Sequence, residues 1–147
     1  MSGRAARLDR LLAIRRLSED LDRRSLGLAL AAVSEVEAGI DRQETALAES
    51  ELAGRKALSS GERGDWLMAD RQTEVAGWTR RRLKVLLRAR TVKVAASMEK
   101  FMESRREHLQ VKQLVENAQK VMAIEEGRTA QAAADDWYLS KRTRSKD

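Results

Sequence analysis

The sequence predicts an all-α protein, a long antiparallel two-helix coiled-coil hairpin with a longer C-terminal helix. Three observations lead there. The chain has no proline among its 147 residues, 35% of them are charged and only 3% are aromatic. Such a composition, rich in Ala, Leu, Arg and Glu, belongs to long helices rather than to a globular core. Apolar residues recur every seven positions in both halves, and one short segment between the halves has the chemistry of a turn.

The first helix is expected over about residues 7–58, where Val33, Ile40 and Leu47 recur every seven residues with Val36 between them. A sevenfold apolar repeat makes a seam that needs a partner helix. An upstream series, Ile14, Leu21 and Leu28, is out of phase with Val33, which predicts a stutter near residues 25–30. The break is Ser59-Ser60-Gly61-Glu62-Arg63-Gly64-Asp65. Two glycines, two serines and an aspartate in seven residues form a turn, and Ser60 or Asp65 is placed to cap the helix that follows.

The second helix is expected over about residues 66–139, followed by a basic tail at 140–147. Leu87, Val94, Phe101, His108, Val115 and Met122 form one sevenfold series, and Trp78, Val85 and Val92 form another nearer the turn. A hinge at Glu62 and Arg63 sets Leu47 against Trp78, Ile40 against Val85, Val36 against Ala89 and Val33 against Val92. The same hinge sets the acidic stretch from Glu35 to Glu51 beside Arg80, Arg81, Arg82, Lys84, Arg88, Arg90 and Lys93. Flanking charges of opposite sign select register and orientation in coiled coils. At 1.5 Å per residue the helices reach roughly 75 Å and 110 Å, so residues past about 117 have no partner within the chain. That overhang still carries Val121, Met122, Ile124, Trp137 and Tyr138.

Little in the chain suggests catalysis, and the reading is of a binding protein without enzymatic activity, cofactor or metal. There is no cysteine and one histidine, which leaves no thiolate for zinc. His108 falls on the sevenfold series and reads as a packed seam residue. Glu125, Glu126, Asp135 and Asp136 read as a solvated face. The glycines are scattered rather than gathered in a phosphate-binding loop. No apolar run approaches the roughly 20 residues of a membrane span, and Met1 to Arg16 interleaves arginine with Leu and Ala, unlike a signal peptide. The expected location is cytoplasmic.

The formal net charge of +6 points to an acidic partner. The run at 80–93 is the best nucleic-acid candidate, because seven positive charges in that span can track phosphates. Without interleaved aromatic residues for base stacking, pairing with the acidic arm is the favoured use of those charges. A self-assembling coiled coil joined through the overhang is a further alternative.

The C-terminal half carries the motif Glu126-x-Arg128-x-x-Gln131-x-x-x-Asp135-Asp136-Trp137, followed by Lys141, Arg142, Arg144 and Lys146. The start reads Leu8-x-x-Leu11-Leu12-x-Ile14-Arg15, and Trp66 follows the turn. Together with the unequal hairpin, these features resemble the FliJ/YscO family of bacterial type III secretion stalk proteins, flagellar and injectisome. The family is similar to the coiled coil of the rotary ATP synthase gamma subunit. The resemblance implies a protein that binds a hexameric secretion ATPase with its helix ends in the ring's pore. It also implies contact with the export gate membrane protein, and for some members with export chaperones. The place implied is peripheral, at the inner-membrane secretion apparatus, with no nucleic acid bound and no direct membrane insertion. The residues it assigns to the ring are Arg7, Arg10, Arg15 and Arg16 at the start, with Arg128, Gln131, Asp135, Asp136, Trp137 and Arg142 in the overhang. The polar and aromatic gate-contacting band of flagellar members is not reproduced at residues 42–49 and 72–83, which favours the injectisome branch.

Overall fold

The computed structural model describes residues 2–145. They form two helices, α1 (Ser2–Ser60) and α2 (Arg63–Arg144), which make an antiparallel hairpin with α2 the longer. Good helix formers dominate both, and no proline interrupts either one. Each helix extends beyond its predicted span, and the turn is smaller than the predicted seven residues.

The turn is made by Gly61 and Glu62. Gly61 has φ of 77°, a left-handed conformation that glycine adopts without the Cβ clash other residues meet. The Glu62 N–H donates to the Ala57 carbonyl at 3.1 Å. This six-to-one bond across a left-handed glycine is a Schellman ending, and it satisfies a carbonyl that the end of α1 leaves free. α2 then starts at once, with the Trp66 N–H donating to the Glu62 carbonyl at 3.1 Å. Ser60 is not the expected cap. Its hydroxyl donates back to the Ala57 carbonyl at 3.2 Å, into the helix it ends. Asp65 lies inside the first turn of α2, where its charge favours the helix dipole.

The helices contribute to two compact units. One is Leu21–Met102, the hairpin around the turn. The other joins the chain up to Asp20 with the residues from Glu103 onward.

In the turn unit the inward residues of α1 are Asp22, Leu26, Ala29, Val33, Val36 and Ile40, then Gln43, Leu47, Ser50, Gly54 and Ala57, all buried or half-buried. Those of α2 are Trp66, Ala69, Thr73, Ala76, Arg80 and Leu83, then Leu87, Arg90, Val94, Ser97 and Phe101. Both sets step alternately by four and three, the spacing of a coiled-coil seam. Small residues cluster near the turn, where a Cβ built on Gly54 would lie 3.7 Å from the Ala69 Cβ. Further along, a Cβ on Gly39 would lie 3.3 Å from a Leu83 methyl, so glycine is what admits Leu83 there. Two hydroxyls in the seam bond back within their own helices, Ser50 to the Ala46 carbonyl at 2.7 Å and Thr73 to the Ala69 carbonyl at 2.9 Å.

Three expectations are corrected here. Trp78, Val85 and Val92 do not belong to the seam; they point outward and are 54%, 65% and 70% exposed. The inward places belong to Leu83 and Arg90, together with Leu87 and Val94 of the other sevenfold series. Secondly, α1 has no stutter. Ile14, Leu21 and Leu28 are outward residues, all more than half exposed, and the phase set by Val33 and Val36 continues upstream through Leu26, Asp22, Glu19, Arg15 and Leu12. Thirdly, the acidic and basic stretches do not zip together. Of the seven basic residues at 80–93, Arg80 alone forms an ion pair among the described residues, Nε to Glu44 Oε1 at 3.3 Å without hydrogen-bond geometry. Both side chains are more than a third exposed, and such a pair contributes roughly 0–1 kcal/mol.

The common cause is that the seam tolerates polar residues. No described side chain is more than 98% buried, so the interface is a stripe rather than a dry core. In a stripe, a polar side chain can lie inward with its head at the edge.

Candidate functional site

The unit formed by the two chain ends holds most of the residues singled out for binding. α1 enters it with Leu8, Leu12, Arg15 and Glu19 facing inward, against Ser104, His108, Val111, Val115 and Ala118 of α2. Val111 and Val115 are 7% and 6% exposed and carry the apolar part of this packing. Two further layers are charged. Arg15 pairs with Glu107, and the Nδ1 of His108 is hydrogen-bonded to a Glu19 carboxylate oxygen. The Nε2 of His108 is buried and has no hydrogen-bond partner among the described residues.

This layer divides the candidate arginines. Arg7, Arg10 and Arg16 are exposed and make no ion pair among the described residues. Arg15 is half-buried, points into the seam and is held by Glu107. It is therefore a seam residue, and the other three form the exposed set. Spacing within the sequence could have separated them, because Arg15 lies 21 residues, three heptads, before Val36.

Beyond Ala118 every described residue of α2 is exposed, with α2 helical to Arg144. Val121, Ile124, Trp137, Tyr138 and Leu139 are all more than half exposed. Where α1 begins, Arg4, Ala5 and Leu8 flank an open groove of about 640 Å³ with Leu114, Ala118 and Val121 on its other side.

On this stretch Arg128, Asp135 and Arg142 recur every seven residues and so lie along one line of the helix surface. The Gln131 amide donates to Asp135 Oδ1 at 3.0 Å, one turn along, and fixes the carboxylate on that line. The Lys141 ammonium stands over the Trp137 ring, 5.0 Å from its centroid. Asp136, Trp137 and Arg142 are otherwise open to solvent. The motif is thus presented on an ordered, uncovered helix, with alternating charge along one line and an aromatic side chain beside it.

No group of three or more His, Cys, Asp or Glu side chains placed to hold a metal ion exists among the described residues. None of their helices is long and apolar enough to cross a membrane.

The fold places the protein in the class of antiparallel two-helix hairpins with a longer second helix. No family model, no curated protein and no solved structure matches the chain.

Proposed function

We propose that this chain is the central stalk protein of a bacterial type III secretion export apparatus, binding the hexameric secretion ATPase and coupling it to the export gate. One observation supports this reading above the rest. The segment carrying the Glu126-to-Trp137 motif is helical, wholly exposed and left without a partner by the shorter α1. A helix that must engage a ring's pore needs such a free end. Its charge should alternate, as it does along Arg128, Asp135 and Arg142, so that no single sign of charge locks it in place.

In this function the ring contacts Arg128, Gln131, Asp135, Asp136, Trp137 and Arg142 on α2, with Arg7, Arg10 and Arg16 on α1. Arg15 acts by holding the seam together. The gate membrane protein, and possible export chaperones, engage other surfaces. The protein performs no catalysis and carries no cofactor; it works in the cytoplasm, peripheral to the inner-membrane apparatus.

The test is co-purification and turnover. The purified chain, mixed with the secretion ATPase from the same genome, is expected to co-elute with the hexamer and raise its ATP hydrolysis rate. Separate elution together with an unchanged rate refutes the proposal.

A further inference from the structure

The residues expected in the seam but found outside it form a pattern of their own. Trp78, Val85 and Val92 step by seven along the outer surface of α2, and Arg82, Ala89 and Ala96 stand between and after them at alternating steps of four and three. Toward the turn, Val75, Arg71 and Met68 continue the same line, and Val75 and Met68 are more than half exposed. This is the spacing of a coiled-coil seam maintained over four heptads. It runs on the side of α2 opposite Leu83, Leu87 and Val94, so the helix that covers those residues cannot also cover this ridge.

From Val75 to Ala96 the charge around the ridge has one sign. No Asp or Glu occurs between Glu74 and Glu99. Arg81 and Arg88 flank the ridge on one side and Lys93 on the other, and none of the three has an ion-pair partner among the described residues. Arg82 is held over the Trp78 ring, 4.7 Å from its centroid, which keeps a positive charge on the ridge itself.

We propose that this outer face of α2 is a second coiled-coil seam, and that it receives an acidic amphipathic helix from another protein. Apolar residues at steps of three and four fit such a helix, and Ala89 and Ala96 allow it to approach closely. Glutamates flanking the incoming apolar stripe complement Arg81, Arg88 and Lys93, the charge pairing that sets partner choice in coiled coils. A second copy of the chain fits less well. Its α2 face has the same sign of charge, and the outward Leu21 and Leu28 of its α1 have mixed charge about them, Asp20 and Asp22 together with Arg23 and Arg24, not an acidic border. A nucleic acid would find one stacking residue, Trp78, its ring already covered by Arg82, on a ridge otherwise made of Val, Ala, Met and Arg. A lipid surface favours bulkier apolar groups than Val and Ala. The proposal stands independently of the secretion reading.

The experiment uses the full chain and a fluorescently labelled synthetic peptide of four heptads with Leu at the a and d positions and Glu at e and g. Its glutamates discourage association with itself. Anisotropy titration is expected to show saturable binding to the chain. Val85→Asp, and separately the pair Arg81→Glu with Arg88→Glu, are expected to weaken it at least tenfold while far-ultraviolet circular dichroism and the melting temperature stay unchanged. The charge-reversed pair is expected to bind the same peptide with Lys in place of Glu. Equal binding of a peptide of the same composition with scrambled spacing overturns the proposal, because charge alone then suffices. It is also overturned if the peptide fails to bind while Val85→Asp abolishes binding to a single-stranded oligonucleotide, to phosphatidylserine vesicles or to a second copy.

Discussion

His108 of α2 and Glu19 of α1 meet inside the seam, imidazole Nδ1 against carboxylate, with side chains 15% and 8% exposed. Two polar groups occupy a layer where a coiled coil usually places leucine. Removing one partner leaves the other buried without its bond, which costs about 1–3 kcal/mol. Replacing both with apolar side chains is often neutral or stabilising. Glu19→Ala and His108→Ala are therefore each expected to lower the urea midpoint by circular dichroism, whereas the Glu19→Leu/His108→Leu double variant retains or exceeds the parent's stability. Additive losses in the double variant would show that the two side chains do not act as a pair.

The two ridges of each helix predict opposite responses to truncation. Ile40 is 8% exposed and Val85 is 65% exposed. Ile40→Ala is expected to cost about 2–4 kcal/mol through lost burial and an unfilled space. Val85→Ala is expected to stay within about 0.5 kcal/mol of the parent, as an outward residue should. A chemical denaturation series on the two variants checks the seam phase directly, and equal losses would mean that the inward face has been misassigned.

Glycines divide by conformation. Gly27 and Gly77 lie inside the helices with nothing within 4 Å of where a Cβ would stand. Alanine at either place restricts the unfolded chain and favours helix, so each substitution is expected to add about 0.5–1 kcal/mol. Gly61→Ala is expected to remove about 1 kcal/mol, because the left-handed backbone of the turn strains any Cβ. Thermal melts of the three variants should order them with Gly61→Ala lowest.

For ring binding, exposure separates two kinds of arginine. Arg128→Glu and Trp137→Ala alter uncovered side chains and are expected to weaken ATPase binding about tenfold, equivalent to roughly 1.4 kcal/mol, with an unchanged melting temperature. Arg15→Ala is expected to lower the melting temperature, since it leaves Glu107 unpaired at the seam. Pull-down and calorimetry on the same three proteins distinguish the outcomes; a stable, fully binding Trp137→Ala removes that residue from the proposed contact.

The candidate site was legible in part. The motif from Glu126 to Trp137 and its position on an unpaired overhang follow from spacing and from the unequal lengths on either side of Gly61. The separation of Arg15 from Arg7, Arg10 and Arg16 was legible only by carrying the phase of Val36 upstream by three heptads, because a sevenfold count of apolar residues alone passes over an inward arginine. The same count found Leu87 and Val94, which do face inward, but near the turn it selected Trp78, Val85 and Val92, because the inward positions there include Arg80 and Arg90.

By itself the sequence determined two long helices, a turn within residues 59–65 and a second helix longer than the first. Those follow from local chemistry, namely the absence of proline, the helix-forming composition and the Gly61 break. Val33, Val36, Ile40 and Leu47 were assigned inward from spacing, but only the tertiary structure decided which of two apolar ridges turns inward on α2 near the turn and on α1 upstream of Val33. Both ridges have the seven-residue period, so periodicity cannot choose between them. The choice falls to packing across the hairpin: how closely Gly39 and Gly54 admit Leu83 and Ala69, and whether inward charges such as Glu19 and Arg15 find His108 and Glu107 opposite them.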